Sequence, residues 1–253
     1  MNAFLPEPEA AALRDRFESV LARLDAAAKA SGRAEDSVRL IAISKTHPAA
    51  MLAELCRLWK TGTPAFGENY VREAVEKQKD VASLLVTSRE ACPVPEWHFT
   101  GHVQSRKAKE VTGRFSCIHT LDSEKLADQI SKAVLAGNLA PQPVLIQINI
   151  GGEEQKSGVP VDGAERFLTG VMTIPEIRVQ GLMCLPPFFD EAEASRPYFA
   201  RLRELRDTLS RATGLALPHL SMGMSHDCAV AVSEGATMVR IGTDIFGARP
   251  AKA

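Results

Sequence analysis

The sequence predicts an α/β fold: a single (β/α)8 TIM-type barrel with an extra N-terminal helix, spanning residues 1–253 as one domain. Three observations carry that expectation. Eight short apolar stretches of strand length alternate with segments of helical periodicity from residue 38 onward. Parallel strands need long crossovers, and the intervening helical segments supply them. The length of 253 residues is that of one such barrel. An open doubly wound sheet is the runner-up, but no GxGxxG turn supports a dinucleotide site.

Taken in order, residues 7–30 read as a helix, with Leu13, Phe17, Val20, Leu21 and Leu24 at helical spacing and Gly32 past its end. The first strand, residues 38–45, is aliphatic and β-branched and ends on one lysine, Lys45. Pro48 then fits the first turn of a following helix. Further strands are expected at 65–68, 97–100, 117–121, 144–150, 178–184, 219–222 and 238–242. Helices are expected at 49–60, 70–85, 105–112, 123–136, 162–172, 191–212 and 226–234, giving the order α(βα)7β. Asp122, Asp162 and Asp190 are expected N-caps, and Gly137, Gly214 and Gly235 follow last turns. Residues 87–95 read as a longer surface loop.

Strand alternation assigns faces. Val144, Ile146, Ile148 and Ile150 share an apolar face suited to lying under helices, which sends Gln147 and Asn149 inward. Val239 and Ile241 face outward, so Arg240 faces the interior, where a guanidinium must find acceptors. Lys45 shares the face of Ile41 and Ile43. A lysine desolvated there has a lowered pKa and can form a Schiff base with an aldehyde. The alternative is a strand-end lysine reaching solvent.

Composition narrows the classes. With 45% hydrophobic and 24% charged residues and a net charge of −1, the chain reads as a soluble globular protein without a nucleic-acid footprint. No apolar run has the length of a membrane span, and the start MNAFLPEPEA lacks the features of a signal peptide. Five scattered cysteines without a CxxC pair imply reduced thiols and a cytoplasmic protein. His98 and His102 have metal-like spacing, but WHFTGH crosses from strand to loop, so no metal site is expected.

In this fold the site gathers at the carboxyl ends of the strands, with a phosphate often held by the last two loops. Those loops carry Ser221, Met222, Gly223, Met224 and Ser225, then Gly242 and Thr243. They offer hydroxyls and close-approach backbone N–H groups. Alternatively, Ser225 caps a helix and the glycines only turn the chain. Asn69, at the top of the second strand, reads as a cofactor contact or a helix N-cap. Lys45, an inward arginine and two phosphate loops together point to pyridoxal 5′-phosphate: aldehyde to Lys45, phosphate to the loops, ring nitrogen to Arg240. Residues 151–158 lack Walker spacing and read as a rim loop.

Seven ordered blocks then carry a resemblance: ISKTHP, FGENYVRE, WHFTGHVQSRK, IHTLDSEKLA, VLIQINIGGEEQKSG, VQGLMCLPP and LSMGMSHDCAVAVSEGATMVRIGTDIFGAR. Along nearly its whole length the chain resembles the pyridoxal phosphate homeostasis proteins (the YggS/PROSC family). The resemblance implies a barrel similar to the amino-terminal domain of alanine racemase. It also implies cofactor bound through Lys45, phosphate contacts from the SMGMS and IGT blocks, and Arg240 near the ring nitrogen. His226 departs from the acidic or other polar residue of many relatives.

The expected function is therefore intracellular vitamin B6 homeostasis, with pyridoxal phosphate held as a Schiff base and little or no catalysis. The alternative is a pyridoxal-phosphate-dependent racemase-like enzyme. A class I aldolase-type barrel ranks third, because only His98 and Asp122 offer an acid/base. Racemisation needs a second base; Tyr70 is the one internal candidate, and the eleven residues from Thr243 on are too few for a further domain. Expected partners are the cofactor and recipient apo-enzymes, with no nucleic acid or membrane, and the chain is expected to be a monomer.

Overall fold

A (β/α)8 barrel needs a helix between its last strand and its first, and this chain supplies it from the N-terminus. The structure, a computed structural model, describes residues 5–87 and 92–248. Its strands are β1 (Arg39–Ile43), β2 (Ala65–Glu68), β3 (Glu96–Phe99), β4 (Cys117–Leu121), β5 (Gln142–Asn149), β6 (Val159–Pro160), β7 (Ile177–Cys184), β8 (His219–Ser221) and β9 (Met238–Ile241). Its helices are α1 (Glu7–Ala30), α2 (Ala49–Leu58), α3 (Val71–Thr87), α4 (Ala108–Val111), α5 (Glu124–Gly137), α6 (Ala164–Met172), α7 (Arg196–Thr213), α8 (Cys228–Ser233) and α9 (Thr243–Phe246). The strands run in the order β4-β3-β2-β1-β9-β8-β7-β5, and a β4–β5 pairing closes the ring of eight. Every pairing is parallel. The two-residue β6 pairs Ile148 and Asn149 of β5, beyond the last β4 partner, Ile146.

After β9 comes only the single turn α9, among the described residues. Helix α1 fills the remaining slot by packing against α2, α8 and α9. Its buried stripe is Leu13, Phe17, Val20, Leu24 and Ala28, and the Phe17 ring lies 5.1 Å from that of Trp59 on the α2 side. Two arginines tie it to α9: Arg16 Nε donates to the Ile245 carbonyl at 2.7 Å, and Arg23 pairs with Asp244 at 2.5 Å.

The alternation expected of the strands is observed. Val144, Ile146, Ile148, Val239 and Ile241 join the outer core under the helices. Inside the barrel pack Ile41, Ala65, Cys117, Leu145, Met183 and Met238, with Ile43 against them.

Several expected details are corrected. The first strand stops at Ile43, so Lys45 sits in the following turn. The helices expected from 105, 162 and 191 open as 3-10 turns at Ser105–Lys107, Val161–Gly163 and Ala192–Ser195, and the one expected at 226–234 is only Cys228–Ser233. Ser123, not Asp122, caps α5, its Oγ accepting the Leu126 N–H at 3.4 Å. Asp162 and Asp190 make no cap: α6 follows Gly163 and the turn at 192 follows Glu191. Asn138, with φ 46°, takes the left-handed position expected of Gly137, which is instead the last helical residue. Of the loop expected at 87–95, Thr87 belongs to α3, and 88–91 lie outside the described residues. β6 and α9 were missed because two and four residues carry no periodicity. Among the described residues no helix is long and apolar enough to cross a membrane.

Because α1 closes the helical ring, Phe17→Ala should lower stability by about 3–5 kcal/mol, the usual cost of emptying a buried aromatic site. Urea unfolding checks this, and a loss within ~0.5 kcal/mol, as for an ordinary surface change, would mean the helix is an appendage.

Candidate functional site

At the carboxyl ends of the strands lies a cavity of ≈ 410 Å³. Six of the nine expected residues line it: Lys45, Asn69, Ser225, Arg240, Gly242 and Thr243. Ile43, His47, Thr100, Leu185, Met224 and His226 complete the wall; none of them is among the nine, although Met224 lies in the expected phosphate loop and His226 is noted there as a departure. The other three expected residues lie behind it. Met222 is buried in the outer core, and Met224 takes the place on the wall. Gly223 turns the chain with φ 91° and accepts the Arg240 backbone N–H at 3.0 Å. Ser221 is buried beneath Arg240.

The two closing loops are shaped by the chain itself. Asp227 Oδ1 accepts the Met224 N–H at 2.7 Å and Asp227 N donates to the Met224 carbonyl at 3.2 Å, fixing the turn that carries Ser225. At Gly242 a Cβ would lie 3.1 Å from the Ile43 carbonyl oxygen, so a side chain there would push the ends of β9 and β1 a few tenths of an ångström apart. The hydroxyls of Ser225 and Thr243 have no protein partner among the described residues. Two unclaimed donors and a half-buried lysine on one wall suit an anion that also carries a carbonyl group. Asn69 Oδ1 accepts from Thr100 Oγ1 at 2.9 Å, which leaves its NH2 for the cavity.

Arg240 is only 5% exposed. Burial lowers its pKa from the ordinary guanidinium value, but the group stays charged. Nη1 donates to Ser221 Oγ at 2.7 Å and Nη2 to the Cys184 carbonyl at 2.9 Å. From Ser221 a polar chain descends the interior: His119 Nδ1 lies 3.0 Å from Ser221 Oγ, and His119 Nε2 lies 2.9 Å from His98 Nδ1. Glu96 Oε2, paired with Arg39 at 2.8 Å, stands 3.7 Å from His98 Nε2. Arginine only donates, so Ser221 accepts from it and passes its own proton to His119 Nδ1. His119 is then the Nε2–H tautomer and donates to His98 Nδ1, leaving His98 Nε2–H at the end of the chain. That nitrogen is buried without a hydrogen-bond partner.

His98, Cys117 and His119 stand close enough together to hold a metal ion. Two facts favour the hydrogen-bonded reading: the imidazoles already bond each other at 2.9 Å, and burial pushes the Cys117 thiol up to about 12. The structure thus pairs His98 with His119; His102 sits on the rim beside Asp122 at 3.3 Å. Residues 151–158 form the rim loop expected, held by Asn149 Nδ2 on the Glu153 carbonyl at 2.9 Å.

Burial lowers the pKa of both interior histidines, His119 most. Each binds a proton more readily unfolded than folded, so its contribution to stability is complete above the ordinary histidine pKa of 6.5 and is lost as the pH falls below it. The slope can reach ~1.4 kcal/mol per pH unit for each histidine. His119→Gln, which keeps a neutral polar group, should flatten the dependence of the urea midpoint on pH between about 7.5 and 5. An unchanged slope would mean that His119 does not take up its proton on unfolding.

The geometry can be set beside known proteins. Residues 16–250 match the family model described as alanine racemase, N-terminal domain. The pyridoxal phosphate homeostasis protein of Aquifex aeolicus is 42% identical over 235 residues, covering 93% of this chain and 97% of that one. Its counterpart in Pseudomonas aeruginosa is 40% identical over 237 residues, covering 94% and 96%. Among solved structures, PipY of Synechococcus elongatus with pyridoxal phosphate bound superposes with a TM-score of 0.77 at 31% identity, covering 93% of this chain and 100% of that one. Alanine racemase from Corynebacterium glutamicum shares the fold, with a TM-score of 0.63 at 17% identity over 93% of this chain and 62% of its own. A donor set of lysine, buried arginine and free hydroxyls on one cavity is thus found in a chain that belongs to the pyridoxal phosphate homeostasis protein family.

Proposed function

We propose that this chain binds pyridoxal 5′-phosphate at the mouth of the barrel, stores it and passes it to recipient apo-enzymes, with little catalysis of its own. One observation carries the reading: the Lys45 amine, the charged Arg240 and the free hydroxyls of Ser225 and Thr243 converge on one cavity of ≈ 410 Å³. The bound group supplies an aldehyde that a lysine captures as a Schiff base. Lys45 is the capturing residue. Ser225, Thr243 and the backbone at Gly242 hold the phosphate, and Asn69 contacts the cofactor through its NH2. Arg240 uses two of its five N–H groups on Ser221 and Cys184, so donors remain for an acceptor in the cavity. PipY, which is similar to this chain and binds pyridoxal phosphate, supports the same reading.

Borohydride reduction of the loaded protein should label one lysine, Lys45, by mass mapping. Lys45→Ala should fold and lose the covalent label while keeping weaker binding through the phosphate contacts. A label on another lysine in the wild-type protein would show that the anchor is misassigned.

A racemase reading is favoured by one observation, the presence of His47 and His226 on the same wall as Lys45. Tyr70 is 56% exposed and absent from that wall, so it is not the second base. Loss of one of two bases costs about 10²–10⁴-fold in rate, and no carboxyl or phenol joins Lys45 on the wall among the described residues. Amino acids incubated in deuterated water should exchange slowly at the α-carbon without net inversion. Inversion at an ordinary enzymatic turnover of about 1–10³ s⁻¹ would move the chain into the enzyme class.

A further inference from the structure

Lys45 is the second residue of a tight turn whose third residue is in an unusual conformation for its type. His47 N donates to the Ser44 carbonyl at 3.1 Å, closing a four-residue turn. Thr46 has φ 68°, one of two non-glycine residues with positive φ among those described. Positive φ at the third position alone is the pattern of a type II turn, whose usual occupants there are Gly and Asn. A β-branched residue is strained in that region and persists only where its surroundings over-determine it.

Those surroundings are an ion cluster from β2 and α3. The Lys77 ammonium, 6% exposed, donates to the Ser44 carbonyl, to Glu68 Oε1 and to Glu73 Oε1, each at 2.7 Å. Glu68 Oε1 also accepts from Ser44 Oγ at 2.7 Å, and Glu73 Oε1 also accepts the Thr46 N–H at 2.5 Å. The Ser44 carbonyl belongs to the peptide group before Lys45, and the Thr46 N–H to the peptide group after it. Peptide groups are planar, so a residue has two soft backbone torsions. Fixing both flanking planes fixes both torsions, and with them the direction in which the Lys45 side chain leaves the backbone.

Stability alone does not account for this cluster. Buried ion pairs seldom improve on apolar packing, because desolvation offsets their attraction. Glu68 Oε2 is, moreover, buried without a partner, which a cluster serving stability alone would not leave. None of Glu68, Glu73 and Lys77 lines the cavity. We infer that Glu73 and Lys77, with Glu68, are positioning residues that hold the Lys45 turn in its strained form and so aim the lysine at the carbonyl group it captures. This rests on the reading of Lys45 as the cofactor's lysine.

The test uses the full-length apo-protein, pyridoxal phosphate and borohydride trapping, with the rate of labelling at Lys45 as readout. Conditions are chosen so that urea titration shows every variant fully folded. Glu73→Leu removes the acceptor of the Thr46 N–H and should slow labelling by about 10- to 100-fold, the usual scale for a misplaced reacting group. Glu73→Gln keeps an acceptor oxygen and should lie nearer the wild type. Adding Thr46→Gly to Glu73→Leu should restore much of the rate, because glycine adopts the turn without the clamp. If Lys77→Met fails to fold, the two Glu73 variants and the rescue carry the test. Labelling of Glu73→Leu at the wild-type rate, or a slow rate that Thr46→Gly leaves unchanged, overturns the inference while Lys45 stays the anchor. A wild-type label mapping to another lysine overturns the binding assignment itself and the inference with it.

Discussion

A guanidinium inside a barrel imposes conditions on everything around it. Its charge cannot be shed, and an ion in a low-dielectric interior costs several kcal/mol unless acceptors surround it. The interior near Arg240 is otherwise aliphatic and sulfur-bearing, with Ile41, Ala65, Leu145, Met183 and Met238. Ser221 and the Cys184 carbonyl meet the charge directly. Ser221, having accepted, has a proton to place, and His119 takes it; His119 then has a proton of its own, and His98 takes that. The polar chain follows from one donor-only residue at its head. It ends near Glu96 and Arg39, the first residues of β3 and β1, at the opposite end of the barrel from the mouth.

The same reasoning separates two lysines that composition treats alike. All three donors of Lys77 are consumed by Ser44, Glu68 and Glu73, so its amine serves geometry. Lys45 stands on the cavity wall two residues past β1, where the chain has left the ladder and its side chain meets the ligand space. Lysine chemistry here is decided by neighbours, and the neighbours come from α3 and β2. The far side is held by other means: His47 stacks on Phe246 at 5.0 Å, and Phe246 belongs to α9, which α1 secures through Arg16 and Arg23. The N-terminal helix therefore reaches the site through the turn that carries Thr243.

How much of this was legible in the sequence depended on range. The barrel, its outer and inner faces and the inward Arg240 follow from a period of two within one strand, which is local information. The alternation in CIHTL sends His119 inward by the same rule, yet a lone strand histidine acquires meaning only opposite Ser221, 102 residues away. Glu73 and Lys77 are four apart on a helix, the spacing of an ordinary surface ion pair; only the docking of α3 against the β1 turn buries Lys77 and half-buries Glu73. Met222 is expected both at the end of the 219–222 strand and in the block that meets the cofactor; the strand ends at Ser221, and Met222 packs into the outer core with Leu220. Capping failed at Asp122 for a similar reason. Asp122 and Ser123 are both competent caps, and position decides between them: Ser123 is the extended residue directly before Glu124, while Asp122 lies one residue further out, beside His102.

Fold likeness leaves the chemistry open, since a racemase and a chain of this family share the barrel. The buried charge narrows it. A carboxylate facing a pyridine nitrogen can keep that nitrogen protonated and make the ring a strong electron sink. An arginine can only donate, so a nitrogen facing Arg240 stays unprotonated and the ring withdraws electrons weakly. The chain behind Arg240 reinforces this. His119 and His98 have their pKa values lowered by burial, which favours their neutral forms beneath the guanidinium. On the proposed binding mode, capture by Lys45 is preserved while carbanion chemistry on the bound cofactor is disfavoured. A cofactor held that way is stored in a recoverable form, and the feature that limits its chemistry is the one that organises the barrel interior.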